Sequence, residues 1–521
     1  MTATLIEPSA SVWLQPTTRT STVRPAVIRV VSSVWWWVSL IAAGQVVMAF
    51  RPGYNSTAFE DEGLYVYMGH RMIDHWFHGS FIKEYPGSYF SGAPAFYPVL
   101  AAIGDYFAGL NGARAVSLLF AVIAMVAICG LGTELFGKIA GVLGAAAFAA
   151  NGSVIMLSHF ATYDSCMMAF IACAAWLTAY TAKRDMLVWV PAVWVLLACA
   201  FFAKYAGAVY IPVVALLGAA VGWQKLRWAA VRQSVLILFG TLALIYAALA
   251  INGQSLIKGI VTTTVSRHIL TYASTSSMLN EVRSWIGPWL LLGALGAVYV
   301  VVRRPSQIGT VLVLALGSVG GIAQQIHIHE QTSFSKHVAF GLIFTAPLIG
   351  ALFSSLVGAS WHSVKVVGLI AVAVVFAGTL VPSGSKNSRQ QLTFWIQDTS
   401  LLAPLQQAVT RTPNKHILGE SPSPEKYALR KVVRPELWND TYQLFYKGEH
   451  GLPAFRRAVL EDHFGVIFLT STTPYGKYVQ NMITTKQTKD YRLLSKIPRI
   501  RRSGVVGYWL VYGLRNPTPD G

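Results

Sequence analysis

The chain has 521 residues, of which 54% are apolar and only 12% are charged, and its formal net charge is +19. Soluble proteins of ordinary composition carry about 25% charged residues, so this composition excludes a soluble globular enzyme and a disordered scaffold. Apolar runs of 17 to 22 residues recur within residues 1–381, and about 20 apolar residues cross the hydrocarbon core of a bilayer. The sequence therefore predicts a polytopic α-helical membrane protein.

The apolar runs follow a short N-terminal tail. Residues 1–32 are rich in Ser, Thr and Pro and carry three arginines, as expected for a tail held in the cytoplasm. The first outer loop, 51–114, contains the apolar stretch 93–110, whose prolines and Asp105 disfavour a straight lipid-facing helix. We expect this stretch to lie along the membrane surface as a juxtamembrane helix. About eleven spanning helices are predicted, at 33–50, 115–135, 139–158, 164–181, 187–203, 205–221, 233–251, 285–302, 308–327, 338–356 and 364–381.

Basic residues orient these helices. The positive-inside rule places the side with more basic residues in short loops in the cytoplasm. With eleven spans and a cytoplasmic N-terminus, that side receives Lys138, Lys183, Arg184, Lys225, Arg227, Arg232, Arg303, Arg304 and Lys365. The other side beyond residue 110 receives Arg114, Lys204, Lys258, Arg267, Arg283 and Lys336, in longer loops. We therefore predict a multi-pass plasma-membrane protein with residues 33–381 in the membrane unit and residues 382–521 outside the cell.

Residues 382–521 read as a C-terminal soluble α/β domain. They contain no spanning run and no cysteine, and their net charge is +10, which suits an anionic membrane surface or ligand rather than nucleic acid. The Ser/Gly-rich stretch 382–388 is interpreted as a linker. Short β-like runs are predicted at Lys415–Gly419, Gly465–Thr470 and Val505–Tyr512, and a helical pattern at Leu452–Phe464.

The side chains that could do chemistry concentrate at the outer face. Nine of the twelve acidic residues of 1–381 lie there in this topology, and the first outer loop opens with Glu60, Asp61 and Glu62. Three acids can simply keep a loop hydrated, but the same loop continues with Tyr65, Pro94-x-x-Tyr97 and, at the start of the next span, Arg114. Ionisable groups near a bilayer are costly and commonly functional.

These residues resemble the GT-C superfamily of membrane glycosyltransferases, nearest to protein O-mannosyltransferases and aminoarabinose transferases. The resemblance covers most of residues 33–356 and rests on the order and placement of five features. These are the Asp-Glu pair with a following Tyr, Pro-x-x-Tyr in the same loop, Arg114, Asp164 at the outer start of the fourth span, and Lys204 with Gly207 after the fifth. Two departures stand beside it: Gly92 and Ala93 replace the family's lysine before the loop proline, for which Lys83 is the substitute considered, and His337 replaces a Tyr.

The resemblance implies an inverting transfer of a sugar from a polyprenyl-phosphate carrier to an acceptor hydroxyl at the outer face. A developing phosphate charge needs fixed cations, and the attacking hydroxyl needs a general base. By resemblance the base is Asp61, with Glu62 orienting it or the acceptor and Glu60 as the main rival. The phosphate would be bound by Lys204, Arg114 and the Lys336-His337 pair, although Lys204 could instead snorkel to lipid headgroups and Arg114 could merely anchor its helix. Substrate-binding candidates are Asp164, Tyr65, Tyr97 and Glu60, with a salt bridge to Arg114 or Lys204 as the structural alternative for Asp164.

Several alternatives stay open. The segment His327-Ile328-His329-Glu330 could chelate a metal only in an extended chain and lacks a third ligand fixed by spacing, so no cofactor is assigned, and a divalent cation (Mg²⁺ or Mn²⁺) is left open. The acceptor could be a glycan, a lipid or a protein. A secondary transporter of an anionic solute or a lipid-linked sugar is the main rival function, although no inverted repeat is visible; a catalytically silent scaffold is a third.

Overall fold

The helical part of the molecule follows the apolar pattern of the sequence closely. The computed structural model describes residues 33–82, 90–265, 271–358, 362–441, 444–485, 488, 490–501 and 504–515, so the predicted tail 1–32 and Lys83 lie outside the described residues. In chain order the helices of this part are α1 (Val34–Ala49), α2 (Glu60–His78), α3 (Tyr97–Phe136), α4 (Lys138–Ala149), α5 (Gly152–His159), α6 (Asp164–Arg184), α7 (Val190–Ala203), α8 (Tyr210–Leu226), α9 (Trp228–Ile260), α10 (Thr275–Arg303), α11 (Ile308–His327), α12 (Phe334–His337), α13 (Leu342–Val357), α14 (His362–Val375) and α15 (Val381–Gln391).

All eleven predicted spans coincide with helices, but the helices differ in length. Within the described ranges, seven helices are long and apolar enough to cross a membrane. The number rises to eight if α4 and α5, which meet at a bend of 70°, count as one broken span. The remaining three predicted spans correspond to shorter apolar helices, at Val34–Ala49, Leu187–Ala203 and Leu342–Val357. The chain is thus a multi-pass membrane protein, while length and composition support fewer full spans than predicted.

The stretch 93–110 forms a separate helical segment before the long span, as expected. Helix α3 is broken at Ala108 and Gly109, whose backbone angles are not helical. Gly109 has φ +60° and ψ −153°, a conformation that is nearly restricted to glycine. The chain reverses at this break. The two sides of the break lie in direct contact, as a Cβ placed on Gly104 would lie only 2.6 Å from the carbonyl oxygen of Gly112. The segment Tyr97–Phe107 therefore folds back beside the start of the span instead of extending it.

The predicted linker at 382–388 is wrong. These residues lie inside α15, which continues the last apolar helix through a π-helical turn at Phe376–Leu380. Asn387 and Ser388 are buried against α5, and a Cβ on Gly152 would lie 2.6 Å from the Cβ of Asn387. Packing against a neighbouring helix has therefore overridden the local Ser/Gly signal, and the helical unit extends to Gln391.

The C-terminal region is a mixed α/β unit. Its helices and strands are α16 (Thr399–Thr410), β1 (His416–Gly419), α17 (Ser423–Ala428), β2 (Trp438–Asp440), β3 (Phe445–Tyr446), β4 (Glu449–His450), α18 (Gly451–Leu460), β5 (Phe464–Thr470), α19 (Pro474–Thr484), β6 (Tyr491–Arg501) and β7 (Gly504–Leu514). The main sheet has the order β2-β1-β5-β7-β6, with β1 parallel to β2 and β5, and β7 antiparallel to β5 and β6. Every residue of β5 is buried, since apolar side chains cover both faces of this central strand. The predicted β-like runs correspond to β1, β5 and β7, and the predicted helical pattern to α18.

The C-terminal unit docks on the first-loop helix α2. Helix α17 packs against α2 so closely that a Cβ on Gly63 would lie 2.7 Å from the carbonyl oxygen of Ser423. Beside this contact the buried carboxylate of Asp105 accepts hydrogen bonds from Tyr427 and from Arg430 Nη2, the latter at 2.7 Å, and pairs with His70 Nε2 at 2.7 Å. These bonds join the C-terminal unit to the two juxtamembrane helices of the first loop.

The two ends of the helical bundle carry different polar groups. At one end Glu134 pairs with Arg184 at 3.0 Å and accepts a bond from Lys183 at its backbone carbonyl, while Lys225 Nζ donates to the carbonyl of Lys183 at 3.2 Å. Lys183, Arg184 and Lys225 are among the basic residues that the positive-inside rule predicts on the cytoplasmic side. The opposite end holds the first-loop helices, the C-terminal unit and the candidate site.

Candidate functional site

The bundle end beneath the C-terminal unit contains a cavity of about 520 Å³, which we call the lysine cavity. Four segments bring its polar side chains together: the first turn of α2, the start of α6, the break between α7 and α8, and the short helix α12. Its polar groups include Asp61, Asp164, Lys204, Lys336 and His337. Residues far apart in sequence thus share one compartment.

Asp61 and Lys336 form an ion pair across this cavity. Asp61 lies in the first turn of α2, and its side chain remains one-third exposed, whereas the side chain of Lys336 is 9% exposed. The Lys336 ammonium also lies 5.1 Å from the ring centre of Phe59. Burial alone would lower the pKa of Lys336, but the carboxylates of Asp61 and Asp164 raise it, so this lysine stays charged at neutral pH.

Lys204 is placed by a break in the helical chain. Helix α7 ends at Ala203, Lys204 adopts an extended conformation, and a 3₁₀ turn follows at Tyr205–Val209. The loop stretch before Pro94 packs directly on this break, since Tyr205 N donates to the carbonyl of Ser91 at 2.7 Å and a Cβ on Gly92 would lie 2.1 Å from the carbonyl oxygen of Ala203. A side chain at Gly92 would therefore require this break to move.

A buried network holds the Lys204 ammonium. It forms an ion pair with Asp164 and donates to His337 Nε2 at 3.0 Å. On its other side His337 Nδ1 lies 2.7 Å from Gln325 Oε1. With Nδ1 donating to the amide oxygen and Nε2 accepting from the lysine, His337 is a neutral imidazole. It therefore orients Lys204 and also lines the lysine cavity, so its contact with the phosphate remains a prediction.

Two tyrosines form the wall between Asp61 and Asp164. The hydroxyl of Tyr65 donates to that of Tyr163 at 2.7 Å, and their ring centres are 4.5 Å apart. Both side chains line the lysine cavity. Tyr65 and Asp164 thus both line the lysine cavity, and Asp164 also forms the salt bridge to Lys204 that was its structural alternative. Their role in substrate binding remains a prediction.

Arg114 and Glu62 form a buried ion pair outside the lysine cavity. Glu62 is fully buried and accepts two bonds from Arg114, each at 2.8 Å, as well as bonds from the backbone N–H groups of Phe59 and Ala161, each at 2.9 Å. Arg114 also donates to the carbonyls of Asn55 and Thr57. Burial would raise the pKa of Glu62, but the adjacent guanidinium lowers it. The pair therefore clamps the first loop to α3 and is absent from the lining of the lysine cavity.

Tyr97 and Glu60 also lie away from the lysine cavity. Tyr97 is fully buried in the helical core, with its hydroxyl 2.5 Å from Ser117 Oγ, so it does not reach a substrate in this cavity. Glu60 lines a different cavity, against the C-terminal unit, where desolvation and the adjacent Asp61 raise its pKa to about 7. Of the two rival carboxylates, only Asp61 faces the lysines.

The segment His327–Glu330 forms a polar turn. His329 Nδ1 lies 3.0 Å from the carbonyl of Ala273, and Glu330 accepts from the N–H of Thr332 at 2.8 Å. Across the part of the chain that the structure describes, no group of three or more His, Cys, Asp or Glu side chains could hold a metal ion.

Sequence reasoning missed Tyr163 and Gln325. Tyr163 lies next to Asp164 and contacts the cavity through a turn that no motif marks. Gln325 follows Gln324 near the end of an apolar helix. A pair of amides in such a run was the available signal, because polar side chains are costly in a membrane unless they are bonded.

Comparison with known proteins gives the class of fold. Residues 94–251 match the family model described as dolichyl-phosphate-mannose-protein mannosyltransferase. No curated protein matches the chain. Among solved structures, apo ArnT from Cupriavidus metallidurans superposes with a TM-score of 0.60 and 13% identity, over 91% of this chain and 97% of that chain. The predicted resemblance to GT-C membrane glycosyltransferases is thereby confirmed.

Two further structures share this fold. ArnT from Cupriavidus metallidurans bound to undecaprenyl phosphate has a TM-score of 0.56 and 15% identity, with the same coverage of 91% and 97%. The archaeal oligosaccharyltransferase AglB from Archaeoglobus fulgidus, in complex with an inhibitory peptide and a dolichol-phosphate, has a TM-score of 0.56 and 12% identity over 94% of this chain and 74% of that chain. The chain therefore shares the fold of ArnT and AglB along most of its length.

Proposed function

We propose that this chain is an inverting glycosyltransferase that moves a sugar from a polyprenyl-phosphate carrier to an acceptor hydroxyl. The observation that carries the proposal is the meeting of the Asp61 carboxylate with the ammonium groups of Lys204 and Lys336 around one cavity. The undecaprenyl phosphate bound by ArnT and the dolichol-phosphate bound by AglB support the donor class.

In the proposed reaction Asp61 removes the proton of the acceptor hydroxyl as its oxygen attacks the anomeric carbon. The bond from this carbon to the phosphate oxygen breaks, and its electron pair stays on the phosphate. Attack from the face opposite to the phosphate inverts the anomeric centre.

The lysines would neutralise the leaving phosphate. Before the donor binds, Lys336 is paired with Asp61. A phosphate entering the cavity offers Lys336 a second anionic partner, and this exchange frees the carboxylate for the acceptor. Lys204, held by Asp164 and His337, provides a second fixed positive charge, which stabilises the leaving group without reorganisation. The proposal uses no divalent cation.

The remaining lining of the lysine cavity suits a lipid tail. Phe201, Val209, Ile260 and Phe340 line it together with the charged groups. An apolar wall beside a cationic one matches a polyprenyl phosphate, whose tail would enter from the lipid. Because the basic cluster around Arg184 occupies the opposite end of the bundle, the positive-inside rule favours the outer face of the plasma membrane for this site.

Substitution of Asp61 tests the proposal. We expect Asp61→Asn to lower transfer from a synthetic polyprenyl-phosphate sugar in detergent by about 10²-fold or more, since a positioned base contributes about 10²–10⁴-fold. The matched control is Asp74→Asn, on the same helix, where the carboxylate is half-exposed and pairs with Arg71 at 3.6 Å. Equal turnover in both variants would eliminate Asp61 as the base. Uptake of the sugar lipid into proteoliposomes, without transfer of the sugar to an acceptor, would instead favour the rival function of a secondary transporter.

A further inference from the structure

A second cavity, of about 270 Å³, lies between the first turn of α2 and the sheet of the C-terminal unit. We call it the domain cavity. Its walls come from three sources: Glu60 on α2, Phe394 and Asp398 on the connection after α15, and Glu425 and Arg499 on the C-terminal unit. Its volume equals that of roughly nine water molecules at about 30 Å³ each, which is room for one sugar ring.

Two residues that line the domain cavity carry a polar atom without a hydrogen-bond partner among the described residues. Glu425 is 1% exposed, and its Oε2 has no hydrogen-bond partner among the described residues. The Nε of Arg499 is likewise buried without a partner there. Both residues line the cavity. Because buried polar groups are nearly always bonded, the described residues leave some of the bonding capacity of these two side chains unused.

The charges around the domain cavity disfavour an ionic ligand. Carboxyl groups from Glu60, Asp398, Glu420 and Glu425 face the guanidinium groups of Arg499 and Arg501. Burial raises the pKa of Asp398 to about 7 in spite of Arg499, and raises that of Glu425 well above its ordinary value. Protonation therefore cancels part of the negative charge near neutral pH. Groups of both signs then line the cavity in similar numbers, so neither an anion nor a cation is strongly favoured, whereas a hydroxyl group can both donate and accept.

Aromatic faces complete the lining. Phe394 is 41% exposed and lies beside Trp395, with ring centres 6.0 Å apart. On the opposite wall the guanidinium carbon of Arg499 lies 4.6 Å from the ring centre of Trp509. A flat apolar face next to hydrogen-bonding groups suits a sugar ring, which has C–H faces and hydroxyl edges.

The domain cavity adjoins the lysine cavity through consecutive residues. Glu60 faces the domain cavity and Asp61 the lysine cavity. The ring of Phe59 lies between them, 5.1 Å from Lys336 Nζ and 5.6 Å from the ring centre of Phe394. A molecule held in the domain cavity is therefore within one helical turn of the proposed base.

We propose that the domain cavity binds an uncharged sugar residue of a carbohydrate acceptor and presents a neighbouring hydroxyl to Asp61. This inference rests on the proposed function and selects a glycan from the acceptor classes that the sequence left open. The C-terminal unit and the first loop then build the acceptor subsite together, whereas the donor occupies the lysine cavity.

Two exposed residues of the subsite allow a test with the full-length protein. Arg501→Ala removes a donor, and its control is Arg492→Ala, an exposed arginine on the same strand β6 that does not line the cavity. Phe394→Ala removes the aromatic face, and its control is Phe445→Ala, which is 58% exposed elsewhere in the C-terminal unit. Binding of methyl glucoside, methyl mannoside and methyl arabinoside is measured by saturation-transfer NMR, with inorganic phosphate as the charged competitor.

We expect at least one of these methyl glycosides to bind the wild type, and inorganic phosphate not to displace it. Both subsite variants should bind this glycoside about fivefold to tenfold more weakly than their controls do. With that glycoside as acceptor, KM should rise by the same factor, while the donor KM and the slow transfer of the sugar to water stay unchanged. No glycoside binding, displacement by phosphate, or equal binding in variants and controls would overturn the subsite. If the wild type transferred sugar from the polyprenyl-phosphate donor neither to an acceptor nor to water, the proposed function itself would instead be refuted.

Discussion

At the scale of single residues, Lys204 and Arg114 are buried cations at the same end of the bundle. Their surroundings differ in whether the side chain can contact a ligand in the lysine cavity. Arg114 donates to Glu62 and to two backbone carbonyls, and it does not line the lysine cavity. Lys204 pairs with Asp164 and His337 on the wall of that cavity. Burial in the interior gives Arg114 a structural role, whereas burial at a cavity wall leaves Lys204 able to meet a ligand.

The clamp between Arg114 and Glu62 predicts a loss of stability when it is broken on one side. We expect Arg114→Met to lower the free energy of unfolding by about 3–5 kcal/mol, because it leaves Glu62 buried and charged without a partner. The double variant Arg114→Met/Glu62→Gln should recover part of this loss, since no uncompensated charge remains. Thermal unfolding in detergent measures both, with the exposed Arg283→Met as control. A single variant as stable as that control would contradict the role of the clamp.

At the scale of structural elements, the position of Asp61 depends on how closely α2 approaches its neighbours. A Cβ on Gly69 of α2 would lie 1.9 Å from the carbonyl oxygen of Pro98 at the start of α3, and one on Gly63 would meet α17. These glycines let the helix backbones come into direct contact, so that the first turn of α2 is held between the helical bundle and the C-terminal unit. The carboxylate of Asp61 is thereby aimed at Lys336.

A methyl group at Gly69 should disturb this arrangement. We expect Gly69→Ala to reduce stability by about 1–3 kcal/mol through overpacking and to slow transfer, because α2 must move away from α3 and carry Asp61 with it. Gly44→Ala is the control, as nothing lies within 4 Å of a Cβ there. Unfolding temperature and transfer rate are compared for the two variants; unchanged transfer in Gly69→Ala would show that α2 tolerates the shift.

At the scale of the whole molecule, the C-terminal unit and the helical bundle share buried polar groups. Asp105 of the first loop is bonded to Tyr427 and Arg430 of the C-terminal unit, and Asp398 is 93% buried next to the domain cavity. Contacts of this kind hold the two units in a fixed relation, which the proposed subsite between them requires.

Burial of Asp398 makes stability depend on pH. Its pKa is raised from an ordinary 3.8 to about 7, so the folded state binds a proton more tightly than the unfolded state. The resulting stabilisation is fully present below about pH 4 and is lost as the pH rises through 7. We expect the unfolding temperature to fall between pH 5 and 8, and Asp398→Asn to flatten this fall, whereas Asp490→Asn on the surface should not. An identical pH profile for wild type and Asp398→Asn would contradict the shift.

How much the sequence could predict depends on whether a feature is local. The breaks at Gly109 and after Ala203 lie where the apolar pattern weakens, and β1, β5 and β7 match runs read directly from the chain. The linker at 382–388 was mispredicted because its Ser/Gly composition was outweighed by packing against α5. Arg114 and Tyr97 were assigned to the site from their order in the chain, which does not state whether a side chain faces a core or a cavity.

By itself the sequence determined that the chain is a membrane protein with a glycosyltransferase-like order of charged residues, because hydropathy and charge act through the identity of each residue and its neighbours. Only the tertiary structure decided which of those charges meet. Asp61 and Lys336 are 275 positions apart, and their pairing follows from helix packing, which no local pattern records. The same holds for the domain cavity, whose walls come from the first loop and from a unit more than 300 residues later.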